Sequence, residues 1–589
     1  MKSSTRSLLL FLWENLNLKR KRQLFILLAL MLVSAACELL SLTLFFPFLN
    51  ILNNPNDLSK VNYLNLLPFD IYSLDPILVM ILTIIVFLLA ITASGILRVL
   101  AIYVSYKLSA LIGNDVSMKA YKTIINLDYQ NHLNIDKSKI ITSLTDHVRF
   151  TQRTIDNLLI ATTSIIITFS VLCFLATIDI NIIIIMISVF GPSYFLINQI
   201  NKKKINIISK RLFMSINKQM QIIRESLLMI REVKTNKLEE DYIDNLRVTD
   251  RSLRISLAEG AFFAQYPRFF LEVIGFITIS ILALVIKSSN NSSNLLVSLG
   301  GFALACQRVI PLMQLAYSNL ISVKKQIPSV KQIISILEME NIKLRDVNLL
   351  NYENKRYCFK EKIEINNLSF SYKNSEKKVL NNINLVLNKG DHLGIIGESG
   401  SGKSTFIDLL LGILEPSSGE ILVDGKPLIK YLNYSFWKNQ KAPISYVPQD
   451  FFIKEGTFLD NIIYNNNKKV NFDHAVECAR KAVIKDFIES TQNSFYTIIS
   501  ENGKNLSGGQ KQRLCIARAL YNKPEILILD EATSALDEET SEKLLIELSG
   551  LDKKVTIISI SHDLNCLKNC NRIIEIDKGL IINNNENLL

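Results

Sequence analysis

Cysteine is scarce in this chain: eight residues in 589 (Cys37, Cys173, Cys306, Cys358, Cys478, Cys515, Cys566, Cys570), well under the density of a disulfide-built mini-protein. The closest pair, Cys566 and Cys570, has His562 nearby, but no second ligand pair follows, so these read as ordinary thiols and not as a zinc site. Charge is also sparse, at 20% of residues against 49% hydrophobic. A mean hydropathy of +0.24 over such a length argues against a wholly water-soluble protein. There is no repeat of 20–50-residue period and no low-complexity tail beyond Asn-rich patches such as 582–586. Disordered, collagen-like and secreted mini-protein classes are thereby excluded. The net charge of +12 brings no RNA- or DNA-binding motif with it. Its basic residues crowd beside apolar runs, as in Lys19-Arg20-Lys21-Arg22 and Lys202-Lys203-Lys204. That is the positive-inside pattern, with membrane lipid as the partner and no nucleic acid.

What the chain does have is apolar length. A bilayer core of about 30 Å needs about 20 apolar residues in helix, and residues 1–325 offer six such stretches. They lie at about 23–50, 76–103, 157–178, 180–201, 266–286 and 294–323, interrupted by few charges, among them Glu38, Arg98, Arg268, Glu272 and Arg308. The first is too long, and has too many later companions, to be a cleaved signal peptide. The basic N-terminal segment predicts a cytoplasmic N-terminus. The loop 51–75, with Asp57, Lys60, Asp70 and Asp75, is then expected outside, with tiny outer turns at Asp179 and Ser288–Ser293. The inner connections 98–156 and 202–265 are charged and helix-compatible, and read as helical hairpins entering the cytoplasm. An even number of spans puts the C-terminal part there too.

After about residue 325 long apolar runs stop and strand-like segments alternate with helical ones, as in an α/β domain. Residues 326–350 read as a helical, polar linker and 351–589 as a domain large enough for its own core. Strand-like His392–Ile396 runs into Gly397-Glu398-Ser399-Gly400-Ser401-Gly402-Lys403-Ser404-Thr405 and then an apolar helix. This is a phosphate-binding loop in its strand–loop–helix setting. Its glycines let backbone N–H groups turn toward phosphate oxygens, Lys403 adds a point charge, and the Ser404 hydroxyl suits Mg²⁺. Downstream, the apolar run Ile526-Leu527-Ile528-Leu529 ends in Asp530-Glu531. Asp530 is suited to hold Mg²⁺ through water and Glu531 to polarise an attacking water.

Leu506-Ser507-Gly508-Gly509-Gln510 then matches the signature of the ABC ATPases, and the chain resembles that family over nearly its whole length. Further motifs follow in order. Tyr372 resembles the aromatic that stacks on adenine, and Gln449, in Tyr446-Val447-Pro448-Gln449, the Q-loop glutamine. Ser534-Ala535-Leu536-Asp537 resembles the D-loop, and His562 the switch histidine. The resemblance implies an all-α six-helix transmembrane domain followed by an α/β P-loop ATPase domain, using ATP and Mg²⁺. It implies Glu531, His562 and Gln449 as catalytic residues and Ser404, Gln449 and Asp530 around the metal. It further implies a homodimer, or a heterodimer with a related chain, in which Ser507 and its neighbours act on the ATP held by the partner's phosphate loop. Segments near 126–137 and 229–243 correspond to coupling helices. The remaining histidines, His132, His147, His392 and His474, lack such context.

For the cargo, charge inside spans is costly and usually functional. Arg98, Arg268 and Arg308 are candidates to line a cavity and grip an anionic phosphate, since guanidinium binds phosphate bidentately; the competing expectation pairs them with Glu38 or Glu272. Pro267-Arg268-Phe269-Phe270-Leu271-Glu272, Pro47-Phe48 and the lengthened loop 51–75 are similar to bacterial lipid-linked oligosaccharide flippases and polysaccharide-export ABC proteins. An inner-membrane flippase for such a glycolipid is the expectation. The lack of a peptidase-like segment before the spans weighs against a peptide exporter, while other lipids or drugs stay open as cargo. Six spans and intact Glu531, His562 and Ser507 weigh against a non-transporting ABC regulator.

Overall fold

The computed structural model describes residues 10–11, 13–53, 76–178, 180–288, 295–347, 359–372, 375, 377–428, 444–464, 470–551 and 554–585. Contacts divide the chain into two units, Met1–Leu127 with Ile135–Arg345, and Asp128–Asn134 with Asp346–Leu589.

The first unit is helical, with long helices at Leu18–Asn53, Pro76–Ile125, Val148–Ile178, Ile180–Leu228, Glu239–Ser288 and Leu295–Val347. A helix of 50 residues is about 75 Å long, more than twice a hydrocarbon core of about 30 Å. Each of the longest therefore continues well past its apolar stretch, as the charged inner connections led us to expect. Among the described residues, five helices are long and apolar enough to cross a membrane. The sixth expected span, about 294–323, falls on the helix Leu295–Val347, where residue 294 and several side chains lie outside the described residues. So do residues 54–75 of the expected outer loop, Asp179, and residues 289–293.

Two short helices, Tyr129–Leu133 and Ile230–Thr235, interrupt the inner connections within the segments 126–137 and 229–243. The expected linker is not a separate element up to residue 347, because the last long helix runs through it. Val330, Ile333, Ile334 and Leu337 recur at helical spacing and are buried, Ile333 completely. Ile333 and Leu337 pack with residues such as Leu27 and Ile112, and Val330 and Ile334 with Phe11 and Ile327, an apolar stripe that a polar linker would not show. Residues 348–350 lie outside the described residues.

Buried polar residues bridge these helices. The Asn201 amide donates to the Tyr317 hydroxyl at 2.9 Å and accepts from the Tyr266 hydroxyl at 3.1 Å. His147 lies within hydrogen-bond distance of the Ser329 hydroxyl (3.1 Å) and of Asn217 Oδ1 (3.2 Å). Fully buried amide and imidazole groups are tolerable only when paired in this way.

The second unit is built on a six-stranded sheet. Edge to edge its strands are Leu580–Asn585, Arg572–Asp577, His392–Ile396, Thr556–Ile560, Ile526–Asp530 and Ile444–Val447. The last five pair in parallel, and only the first edge strand is antiparallel. Strands in a parallel sheet are covered on both faces and read as continuous apolar runs. Ile526–Asp530 does this literally: Ile526 and Ile528 enter one core, Leu527 and Leu529 the other. The first core also holds the helix Lys403–Leu410 and a four-stranded antiparallel sheet, Leu380–Asn388, Lys362–Phe370, Ser418–Val423 and Lys426–Pro427. The second holds the helices Phe458–Ile463, Phe472–Lys481 and Gly508–Tyr521.

Phe406, on the helix behind the phosphate loop, is completely buried in the first core. Phe406→Ala is expected to cost about 3–5 kcal/mol through lost burial and a residual cavity. Differential scanning calorimetry of the purified protein would show it as a lowered unfolding transition of this unit.

Candidate functional site

Because five strands run parallel, their carboxyl ends share one edge of the sheet, where ligands of open α/β sheets are held. Four loops leave that edge. After His392–Ile396 comes the phosphate loop, after Ile444–Val447 comes Gln449, after Ile526–Asp530 comes Glu531, and after Thr556–Ile560 comes His562.

The phosphate loop needs its glycines. Gly397 has φ +152° and Gly402 φ +110°, within the positive-φ range that favours glycine. A Cβ on Gly397 would sit 2.1 Å from the Ile576 carbonyl oxygen, a distance no side chain tolerates. Lys403 folds back over the loop, its Nζ donating to the Gly397 and Glu398 carbonyls at 2.7 Å each. Burial lowers its pKa, while Glu531 and Asp530 pull in the other direction. Ser404, Glu398, Ser399 and Gly400 are exposed; Ser401 and Thr405 are buried. The Ser401 hydroxyl has no hydrogen-bond partner among the described residues. The Tyr372 and Thr405 hydroxyls lie 3.1 Å apart, and the Tyr372 ring meets Phe370 edge-on at 5.0 Å.

Three side-chain contacts gather around the acidic pair. Gln449 Nε2 donates to Glu531 Oε2 at 2.7 Å, and His562 Nε2 lies 3.1 Å from Glu531 Oε1. The Tyr446 hydroxyl donates to Asp530 Oδ2 at 3.0 Å. Asp530 is buried, which raises its pKa; the Tyr446 hydrogen bond acts against that shift, and Glu531 adds to it. Asp408, on the phosphate-loop helix, is pushed up to about 6 by burial and by Asp530.

Glu531 occupies the left-handed region at φ +49°, a strain of about 1–3 kcal/mol for a residue with a Cβ. Its backbone is held there from several sides. Its N–H donates to the Ile560 carbonyl at 3.0 Å. Its carbonyl accepts from Gln512 Nε2 at 2.8 Å and from the Ser534 hydroxyl at 2.9 Å. Gln512 Oε1 also accepts from Ala535 N–H at 3.3 Å.

Leu506 precedes the helix Gly508–Tyr521, whose N-cap is Ser507. The Gln510 N–H donates to Ser507 Oγ at 3.2 Å, and Ser507 N–H donates to Gln510 Oε1 at 2.8 Å. This capping box satisfies two backbone donors at the helix end. Gly509 is small for a reason: a Cβ there would lie 2.9 Å from the Ala535 carbonyl oxygen and from Leu536 Cδ2. Asp537 caps the next helix, Glu538–Ser549, accepting from the Thr540 N–H at 3.0 Å.

Thus Lys403, Asp530, Glu531, Gln449, His562 and Ser534 are brought together, with Leu536 against the start of the signature helix. Tyr446 and Gln512 were not singled out in the sequence. Tyr446 stands inside the quoted Tyr446-Val447-Pro448-Gln449 and Gln512 two residues past Gln510, so their positions were readable but their partners were not. Among the described residues, no three of His, Cys, Asp and Glu group as a metal cage. The three arginines belong to the helical unit. Arg98 lies 3.8 Å from the buried Glu38, and Arg268 donates to Glu272 at 2.8 Å one helical turn away. Arg308 is exposed, without an ion pair among the described residues.

Residues 24–307 match the ABC transporter transmembrane region and residues 380–534 match the ABC transporter family. Among curated relatives, the alpha-hemolysin translocation ATP-binding protein HlyB of Escherichia coli O157:H7 is 43% identical over 219 residues, 37% of this chain and 30% of the relative. The ATP-dependent lipid A-core flippase of Hahella chejuensis is 38% identical over 221 residues, 38% of this chain and 37% of the relative. These matches thus span only about a third of the relatives' length. A solved bacterial Atm1-family ABC exporter with ATP bound shares the fold at a TM-score of 0.74 and 20% identity, over 96% of this chain and 95% of that one. With both family regions matched in order along one polypeptide, the chain belongs to the ABC transporters and carries the transmembrane region and the ATP-binding domain fused together.

Proposed function

We propose that this chain is one half of an ATP-driven exporter, acting as a homodimer in a cell membrane with the ATPase unit in the cytoplasm. The observation that carries it is the convergence of Lys403, Asp530, Glu531, Gln449 and His562 at the carboxyl edge of one parallel sheet. In this reading the loop Gly397–Thr405 holds the ATP phosphates with its backbone N–H groups and Lys403. Tyr372 lies against the adenine, and Glu531 orients the attacking water with His562 and Gln449. Phosphoryl transfer asks for positioning and charge more than covalent chemistry, which this arrangement supplies. Ser404, Asp530 and Gln449 offer oxygen donors, the chemistry Mg²⁺ prefers, and would hold the ion together with the substrate phosphates. The ion's contribution is to neutralise charge that develops on those phosphates.

Leu506–Gln510 and the D-loop Ser534–Asp537 act on ATP held by the second copy. ATP shifts the protein only by its differential affinity for the closed state. The grouping of residues 128–134 with the ATPase unit supports a coupling role for the short helix Tyr129–Leu133.

The cargo we propose is a lipid-linked saccharide with an anionic phosphate. Two of the three candidate arginines already have a carboxylate close by, Arg98 near Glu38 and Arg268 near Glu272, so the phosphate-gripping role falls mainly to Arg308. The other cargo classes, namely other lipids, drugs and peptides, share the same ATPase half.

Three outcomes follow from these roles. Lys403→Ala weakens ATP binding, whereas Glu531→Gln keeps binding and slows turnover at least about a hundredfold; equilibrium nucleotide binding and phosphate release on the purified dimer measure both. Mixed dimers with Lys403→Ala on one chain and Ser507→Arg on the other keep one working composite site; two dead sites would refute action across the dimer. Arg308→Ala in proteoliposomes lowers flipping of a polyprenyl-pyrophosphate-linked oligosaccharide while ATP turnover without cargo persists. Unchanged flipping would remove the anionic cargo and leave the exporter.

A further inference from the structure

We infer that Tyr446 is the positioning residue of the Asp530 carboxylate: its hydroxyl holds one oxygen of that side chain and leaves the other for the metal ion that accompanies ATP. The inference rests on the nucleotide-binding reading above. Asp530 is only 7% exposed. Among the described residues, the hydrogen bond from Tyr446 to Oδ2, at 3.0 Å, is the one its side chain makes. A buried carboxylate with a single donor depends on that donor for its orientation.

The strand pairing explains how the contact arises. Tyr446 is level with Ile528, two residues short of Asp530, in a parallel pair of strands. A phenol is long enough to reach forward along the neighbouring strand, while its ring lies partly exposed along the sheet edge. The chemistry of the donor matters too. A lysine or arginine here would hold Asp530 by neutralising it, and would compete with an incoming cation. A neutral hydroxyl orients the carboxylate and leaves its charge for the ion, the role that outer groups play around metal ligands.

Three residues on, Gln449 donates to Glu531. One short segment, Tyr446–Gln449, therefore grips both acids of the pair, one through each end. The half-buried carboxyl group of Asp408 is close enough to interact with Asp530, so an unanchored Asp530 would have reason to turn away from its neighbours.

The test uses the full-length protein in lipid nanodiscs and a fluorescent trinitrophenyl-ATP, titrated with Mg²⁺ and, separately, in EDTA. Tyr446→Phe keeps the ring and deletes the oxygen. In this variant the Mg²⁺ concentration giving half of the gain in nucleotide affinity is expected to rise about tenfold, with affinity in EDTA unchanged. In an Asp530→Asn background the same substitution is expected to change nothing further. A Mg²⁺ requirement equal to the wild type overturns the inference. Equal losses with and without Mg²⁺ overturn it as well, since they make Tyr446 a structural residue. If the wild type binds the nucleotide in EDTA and gains nothing from Mg²⁺, the magnesium-site reading of Asp530 fails, and the inference with it. No nucleotide binding by the wild type in either condition refutes the ATP reading itself.

Discussion

Double-sided burial of the strand Ile526–Asp530 is the constraint on which the candidate site depends. Alternate residues of this strand enter two different cores, so a one-residue slip would exchange every contact on both faces. Its end is thereby pinned, and Asp530 and Glu531 are delivered to fixed positions. Thr556–Ile560 and Ile444–Val447 pair with it on either side in parallel. His562 and Gln449 then reach Glu531 from the two neighbouring loops. The site is a property of the sheet edge, assembled from segments that are separate in the chain.

At that edge the strand's regularity ends in a strained residue. Glu531 adopts a left-handed backbone that costs energy. It persists because the Ile560 carbonyl, the Gln512 amide and the Ser534 hydroxyl all hold it. Gln512 is buried in the signature helix and contacts both Glu531 and Ala535. The signature helix, the acidic pair and the Ser534–Asp537 turn therefore behave as one packed assembly. Movement of the turn would be felt at the Glu531 backbone.

The helical unit follows a different logic. Its long helices continue past their apolar stretches, and buried polar residues tie them together. Asn201 between Tyr266 and Tyr317, and His147 between Asn217 and Ser329, give directional contacts that apolar packing lacks. Arg98 and Arg268 belong to the same economy of pairing, each beside a carboxylate. Pairing with Glu38 or Glu272 was an expectation from the sequence, and the four-residue spacing of Arg268 and Glu272 is local; that Arg98 is the partner of Glu38 was decided by two helices lying side by side.

Much was legible in the order of residues. Apolar runs of about 20 residues can only be satisfied as helices in a bilayer, and a strand–glycine loop–Lys-Ser–helix pattern has a local geometry that needs no distant partner. Ser507 with Gln510 is likewise a local capping signal, three residues apart. What stayed hidden were contacts with no fixed spacing. The helix Leu295–Val347 absorbed most of the supposed linker because Ile333 and Leu337 found buried partners on other helices. In the sequence Tyr446 was only a neighbour of Gln449; parallel pairing, which sets it level with Ile528, brings its hydroxyl to Asp530. The sequence by itself determined the membrane half, the phosphate loop and the chemical kind of each site residue, since these follow from composition and short-range spacing. Only the tertiary structure decided which donor meets which carboxylate oxygen, because strand register and helix packing are long-range and set by the burial of whole faces.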